Sequence, residues 1–383
     1  MRIVLIGPTY PFRGGIAQHT TVLWKYLQKK HDVYFVSFSR QYPSLIFPGT
    51  SDREPGSKKG LPGVNYLIDS VNPVTWINTA RSIISYKPDL VIFIWWVPFF
   101  AFCWRIIAGI IRAKLNVKIL YICHNVLPHE NSRFWQKISL FALKSADGFI
   151  VHSSSDKNVL KDILFSAPVS VLPIAPHPEP VKRGISRSSA REKLGLPDGK
   201  TVFMFFGFVR KYKGLDILIN AMSMMPSDRA HLLIVGEFWE SREKYKKMIR
   251  DRNLSQSVTI FDRYVPVNEF ELFFTASDVV VLPYRDATQS GVPQLAFTMG
   301  RPVILTDVGG LSENIISKKH GSVTEPENAE KLAQAMQAFL NFNVDFNSAE
   351  LKKHAQTRMD RDWSLLTNEI IKLSRRFTLT ISL

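Results

Sequence analysis

Short apolar segments alternate with helix-length stretches along almost the whole chain, in two series separated by one stretch of different character. The first series lies at 2–6, 33–37, 90–96, 118–123, 148–152 and 169–172, the second at 202–206, 231–235, 258–261, 279–283 and 302–306. Continuous apolar runs of this length suit strands buried on both faces, and intervening helices make the connections parallel. The pattern predicts an α/β fold of two doubly wound, Rossmann-like domains facing each other across a cleft. Residues 173–199, rich in Pro, Ser, Arg and Gly, read as a linker. The predicted organisation is a first domain over 1–178, a linker over 179–198, a second domain over 199–360, and a C-terminal helix over 361–383 returning to the first domain. At 383 residues the chain is long enough for two separate cores.

One long apolar run, 90–111, competes with this reading as a membrane span. Length alone would allow it, but Pro98 interrupts the run and Arg105 would lie near the bilayer centre, where a charge is costly. A strand over 90–96, a turn and an apolar-faced helix account for it better. The first apolar run ends at Gly7-Pro8, too short for the core of a signal peptide. The two cysteines, Cys103 and Cys123, both sit in apolar stretches, which excludes a disulfide framework and a cysteine zinc site and points to a cytoplasmic chain.

The formal charge of +16 is uneven: residues 1–185 carry 22 Lys and Arg against 10 Asp and Glu, a net +12, which leaves +4 for the rest. Clusters such as Lys25, Lys29, Lys30 and Arg112, Lys114, Lys118 lie near aromatic segments, a composition suited to an anionic membrane surface or an anionic acceptor. A solvated basic face is the plainer alternative, and no recognition motif for nucleic acid accompanies the charge. Peripheral membrane attachment is expected through the first domain, with Phe99, Phe100, Phe102 and Trp104 supplying apolar contact.

In doubly wound sheets ligands sit beyond the carboxyl ends of the strands, so the loops there carry the candidate chemistry. After the first strand, Gly14-Gly15 precede a helix; bare backbone there admits a phosphate, although paired glycines also make plain turns. After residues 202–206 come Arg210 and Lys213 in one turn, cations able to grip a diphosphate. Gly236-Glu237 follow the next strand. Thr288, Gln289, Ser290 and Gly291 stand where another helix should begin, offering hydroxyls, an amide and bare backbone to sugar or phosphate. In the first domain His124, Asn125, His129 and Glu130 cluster after 118–123, and His152-Ser153 repeats the pattern. Metal chemistry is not expected: His129-Glu130 lacks HExxH spacing, and the one Asp-x-Asp, at Asp360 and Asp362, lies far from a strand end.

In order along the chain, these loops resemble those of the retaining group 1 glycosyltransferases (family 4, GT-B fold). Gly14-Gly15 resembles the family's glycine-rich first loop, His124-Asn125 its histidine loop, and Arg210 with Lys213-Gly214 its phosphate-gripping pair. Gly300, Pro302, Val303 and Ile304, then Gly309 to Glu313, resemble a helix end and its following loop. There are two departures. The family's two glutamates, eight positions apart, are missing from the stretch between Thr288 and Leu295 or Ala296, and Phe208 stands where an arginine normally follows the glycine.

The resemblance implies sugar transfer from a UDP- or GDP-type donor, with no further cofactor and no metal, to a glycan or lipid-linked acceptor. His124, Arg210 and Lys213 would be the catalytic set. Gly14, Gly15, Gly236, Glu237, Thr288, Gln289, Ser290 and Gly291 would hold the donor, and Asn125, His129 and Glu130 would position sugar or acceptor. A binding protein that has lost turnover and a sugar-nucleotide epimerase are the alternatives.

Overall fold

The central apolar runs become strands buried on both faces: the four residues Ile3 to Ile6 and the six from Leu90 to Trp95 are all buried, while the runs at the sheet edges, Val169–Val171 and Val258–Phe261, are half-buried. The computed structural model describes residues 1–57, 59–127, 133–164, 167–176, 184–315, 319–341 and 348–376. Chain contacts divide it into two units, 1–174 with 360–383, and 175–359.

The first unit holds a parallel sheet of β1 (Arg2–Ile6), β2 (Asp32–Arg40), β3 (Val64–Asp69), β4 (Leu90–Trp95), β5 (Lys118–Cys123), β6 (Gly148–Val151) and β7 (Val169–Val171). Its order is β3-β2-β1-β4-β5-β6-β7, so the winding reverses between β1 and β4. The connections carry α1 (Gly15–Leu27), α2 (Pro73–Tyr86), α3 (Ala101–Lys114), α4 (Arg133–Leu143) and α5 (Ser154–Ile163). Asn72 caps α2 by accepting from Val74 N–H, and Pro73 fills the first helical position, where an N–H would be unused.

The second unit begins with α6 (Arg187–Leu194). It continues as β8 (Thr201–Phe206), α7 (Leu215–Met222), β9 (Ala230–Val235), α8 (Arg242–Asp251), β10 (Val258–Phe261) and α9 (Phe270–Ala276). Then come β11 (Val279–Leu282), α10 (Val292–Thr298), β12 (Val303–Thr306), β13 (Gly321–Thr324) and α11 (Ala329–Asn341). The strand order is β10-β9-β8-β11-β12-β13, again parallel, with its reversal between β8 and β11. The last helix, α12 (Ser348–Arg376), starts in the second unit and finishes in the first, where Trp363 is fully buried.

Three sequence expectations are corrected. Part of the stretch read as linker is α6, which carries Arg191 into the second unit with no exposed surface. Its guanidinium donates to the carbonyls of Ala276, Pro197, Asp198 and Lys200 and to the Asp278 carboxylate at 2.6 Å, so the charge is buried fully bonded. Second, β3 and β13 add edge strands that the apolar runs did not announce. Third, Phe100 and Trp104 belong to the first unit's core, packed with Phe38 and Phe93, and cannot face a membrane. The run over 90–111 is a strand, a one-turn 3₁₀ helix (Pro98–Phe100) and α3. Among the described residues no helix is long and apolar enough to cross a membrane.

Candidate functional site

In the second unit the reversal of strand order puts the loop after β8 beside the loop after β11, the position where doubly wound sheets open a crevice at their carboxyl edge. The first loop turns through Gly207 into a single 3₁₀ turn, Lys211–Lys213, closed by Gly214 in the left-handed region at φ 66°. A side chain at Gly214 would put its Cβ 1.9 Å from the Pro283 carbonyl oxygen, so the two loops touch backbone to backbone there. Arg285 fastens them from outside: its main-chain N–H donates to Tyr212 O, its guanidinium donates to Lys211 O, and it grips both carboxylate oxygens of Asp216 at 2.8 and 2.7 Å. Burial works against the Asp216 carboxylate, but the bonds and charge of Arg285 prevail and hold its pKa below the usual range.

This framework holds Lys213 inside. The residue is buried, its ammonium 5.5 Å from the centroid of the Tyr284 ring and close against Gly207. Among the described residues it has no hydrogen-bonding or carboxylate partner for its Nζ. Its neighbouring charge, Arg210, has the same sign. Burial first, then Arg210, lowers its pKa from 10.5 to about 8. Arg210 lies over the rings of Tyr212 and Trp239, at 5.4 and 5.5 Å. A buried and a half-buried cation share one turn that supplies no compensating acid to Lys213 among the described residues, an arrangement that suits a multiply charged anion.

The other second-unit candidates fall around the same carboxyl edge. Gly236, at the end of β9, could not carry a side chain, whose Cβ would stand 1.9 Å from the Gly207 carbonyl oxygen. Glu237 beside it is buried and accepts from the Trp239 indole N–H at 3.1 Å. Gln289 donates to Gly310 O, Gly310 N–H donates to Thr288 O, and Ser290 Oγ accepts from Val292 N–H. Gly291 caps α10. The 286–291 loop is thus tied down to the loop after β12.

In the first unit, Gly14 leads into α1 at φ 103°, and added side chains at Gly14 or Gly15 would meet nothing within 4 Å. His124 and Asn125 follow β5, and His124 is buried at its end, with its backbone N–H on Trp95 O. The structure adds two partners: His19 of α1 and His152 after β6 bring three imidazoles together at ring separations of 4.7, 5.0 and 5.6 Å, with Trp363 4.8 Å from His19. His152 Nδ1 bonds Leu172 O, and burial lowers its pKa to about 4, so it is neutral. His129 and Glu130 lie outside the described residues. Among the described residues no group of three or more His, Cys, Asp or Glu is placed to hold a metal ion.

Residues 13–175 match the family described as Glycosyltransferase Family 4, and residues 186–358 match Glycosyl transferases group 1. The chain belongs to the group 1 glycosyltransferases. A D-inositol 3-phosphate glycosyltransferase of Catenulispora acidiphila is 26% identical over 210 residues, 52% of this chain and 50% of that protein. The chain thus spans about half the length of the curated relatives it matches. Sucrose-phosphate synthase from Thermosynechococcus elongatus superposes with a TM-score of 0.73 at 20% identity, covering 99% of each chain. Anabaena HepE in complex with UDP-glucose superposes at 0.69 and 15% identity, over 100% of this chain and 99% of that one. These likenesses establish the GT-B fold.

Within this group 1 glycosyltransferase, the place of the expected arginine after the glycine is taken by Phe208, whose ring stacks on Trp239 at 4.4 Å and, farther off, on Tyr264. Sequence reading missed Trp239, Tyr284 and Arg285. Their signal was position: each lies within four residues of a strand's carboxyl end, where side chains line the crevice. His19 carried no such signal, because it enters from a helix face.

Proposed function

We propose that this chain is a retaining glycosyltransferase that moves a sugar from a UDP- or GDP-type donor, without a metal, to a glycan or lipid-linked acceptor at a membrane surface. Assembly of cell-surface polysaccharide or glycolipid is the setting we favour. The observation that carries the reading is Lys213, an ammonium buried beside Arg210 with no carboxylate on it among the described residues. A diphosphate supplies the missing negative charge. As the bond from sugar to phosphate breaks, charge grows on the departing diphosphate, and preorganised cations lower the barrier more than they stabilise the ground state. The backbone and hydroxyls of Thr288 to Gly291 are our candidates for donor contacts, and His124 with Asn125 for placing sugar or acceptor. HepE, which shares the fold, has been seen with UDP-glucose, which is consistent with a nucleotide sugar here.

A thermal-shift screen of UDP- and GDP-sugars tests this, since a ligand at 100 times its Kd stabilises the folded state by about 2.7 kcal/mol. One donor should raise the melting temperature of the wild type and leave Lys213→Ala and Arg210→Ala unmoved. A wild type indifferent to every nucleotide sugar would reject the proposal.

A further inference from the structure

The first unit exposes aromatic side chains that its core does not use. On α3, Phe102 is 52% exposed and Ile106 37%; on α4, Phe134 is 64% exposed, Trp135 39% and Phe141 44%. The two helices lie side by side, with the Phe102 and Phe141 rings 5.7 Å apart and Arg105 over Phe141 at 5.4 Å. Along α4 and just past it, Phe134, Lys137, Phe141 and Lys144 recur at helical spacing and all face solvent. The two helices thus present exposed aromatic rings interleaved with basic side chains.

Its charge is one-sided. Segments 101–118 and 131–146 contain no Asp or Glu, while Arg105, Arg112, Lys114, Arg133, Lys137 and Lys144 all fall within them. The next acid along the chain, Asp147, is held by Arg112 at 2.8 Å. Exposed aromatic patches ordinarily mark a binding face. Protein interfaces are depleted in lysine, whereas lysines flanking aromatic rings suit a lipid surface, where the rings enter the headgroup layer and the cations reach phosphates.

We propose that the α3–α4 face docks on an anionic lipid bilayer, with Phe102, Phe134, Trp135 and Phe141 entering the interface and Arg105, Lys137 and Lys144 meeting lipid phosphates. The inference rests on the reading that the acceptor is presented at a membrane, and it replaces Phe100 and Trp104 as contact residues. Co-sedimentation with vesicles of phosphatidylglycerol and phosphatidylcholine, against phosphatidylcholine alone, tests it, with the donor-induced thermal shift read on the same preparations. Wild type should bind the anionic vesicles at low salt and lose binding as salt rises. Phe134→Ser/Phe141→Ser and Lys137→Glu/Lys144→Glu should each bind at least roughly tenfold more weakly, with unchanged melting temperature and donor response.

A wild type left in the supernatant at low salt, or variants that sediment like it, would overturn the assignment. So would a dimer that Phe134→Ser/Phe141→Ser dissolves in a protein indifferent to vesicles, which would give the face to a second copy. Vesicle binding lost as expected in a protein that answers no nucleotide sugar would support the surface while sinking the donor reading.

Discussion

The Lys213 ammonium faces the ring of Tyr284, 5.5 Å from its centroid, and a Cβ added to Gly207 would stand 3.1 Å from its nitrogen. An aromatic face and a bare glycine replace less solvation than water provides, and the like charge of Arg210 adds to the cost, which is why the pKa falls to about 8. Between that value and 10.5 the unfolded chain binds the proton that the folded chain has given up, so this group makes stability rise with pH across that window. Below it the lysine is charged in both states and the penalty is fully present, on the order of 3 kcal/mol. Lys213→Met should therefore raise the melting temperature at pH 7 and flatten its rise above pH 8, while weakening donor binding at least tenfold. Wild-type donor affinity should decline above pH 8, as binding comes to require proton uptake. Calorimetry in buffers of different ionisation enthalpy reads that uptake, and its absence at pH 8.5 would count against a charged Lys213 in the complex.

Arg285 acts on Lys213 at one remove, by joining the 3₁₀ turn to the loop after β11. Arg285→Gln keeps some donor capacity but loses the two-pronged grip on Asp216. Both partners are under a quarter exposed, so the loss should destabilise the protein by roughly 1–3 kcal/mol. Donor affinity should fall by more than the stability change alone explains, because the turn that holds Lys213 loosens. Asp216→Asn should behave alike, and the double variant should cost little more than either single. Additive effects in that cycle would mean that the two residues work separately.

Much of this architecture is legible in the chain itself, for a physical reason. Strands such as Leu90–Trp95 are covered on both faces, so burial writes a continuous apolar run into the sequence. Two of the four edge strands carry no such mark: Val64–Asp69 mixes Asn, Tyr and Asp with its apolar residues and is mostly half-buried, and Gly321–Thr324 has one buried residue, whereas the edge strands Val169–Val171 and Val258–Phe261 kept enough apolar residues to be read. The helix of Arg187–Leu194 hides in a polar stretch because its key core residue is an arginine, whose burial depends on the nearby carbonyls of Pro197, Asp198 and Lys200 together with the distant Ala276 carbonyl and Asp278 carboxylate. Phe100 and Trp104 looked like surface anchors for the opposite reason: composition shows how apolar a helix is, not which side faces the sheet. At the site, the cations Arg210 and Lys213 were visible as a pair, but their aromatic surroundings, Trp239 and Tyr284, come from other loops that only the strand order brings together.

Gly214 offers a test of how tightly the loops must meet. Its φ of 66° disfavours any L side chain, and an alanine Cβ would stand 1.9 Å from the Pro283 carbonyl oxygen, a backbone atom with little room to move. Gly214→Ala should lower stability by about 2–4 kcal/mol and reduce donor affinity together with it, since relieving the clash moves Lys213. Gly15→Ala is the control: its Cβ meets nothing within 4 Å, so equilibrium unfolding should show little change. Equal unfolding midpoints for Gly214→Ala and wild type would disprove the close approach.

Trp363 closes the first unit over its buried imidazoles. It stacks on Tyr26 at 5.6 Å with ring planes 19° apart, and Tyr26 donates its hydroxyl to Asp360 one turn earlier on α12. Burial, reinforced by Asp360, pushes the Tyr26 pKa to about 12, so the phenol keeps its proton and the bond. Trp363→Ala removes a fully buried indole and should cost about 3–5 kcal/mol. The loss should fall locally, with hydrogen exchange quickening in the part of α12 beyond Asp360 and in α1 before it does in the second unit. Water admitted beside His19 and His152 should also move the His152 pKa up from about 4 toward its ordinary value, a shift that NMR titration can follow. Trp363→Phe should restore much of the stability while keeping the histidines dry. If Trp363→Ala left both the exchange pattern and the His152 titration where they are in wild type, the C-terminal helix would not be the cover over that cluster.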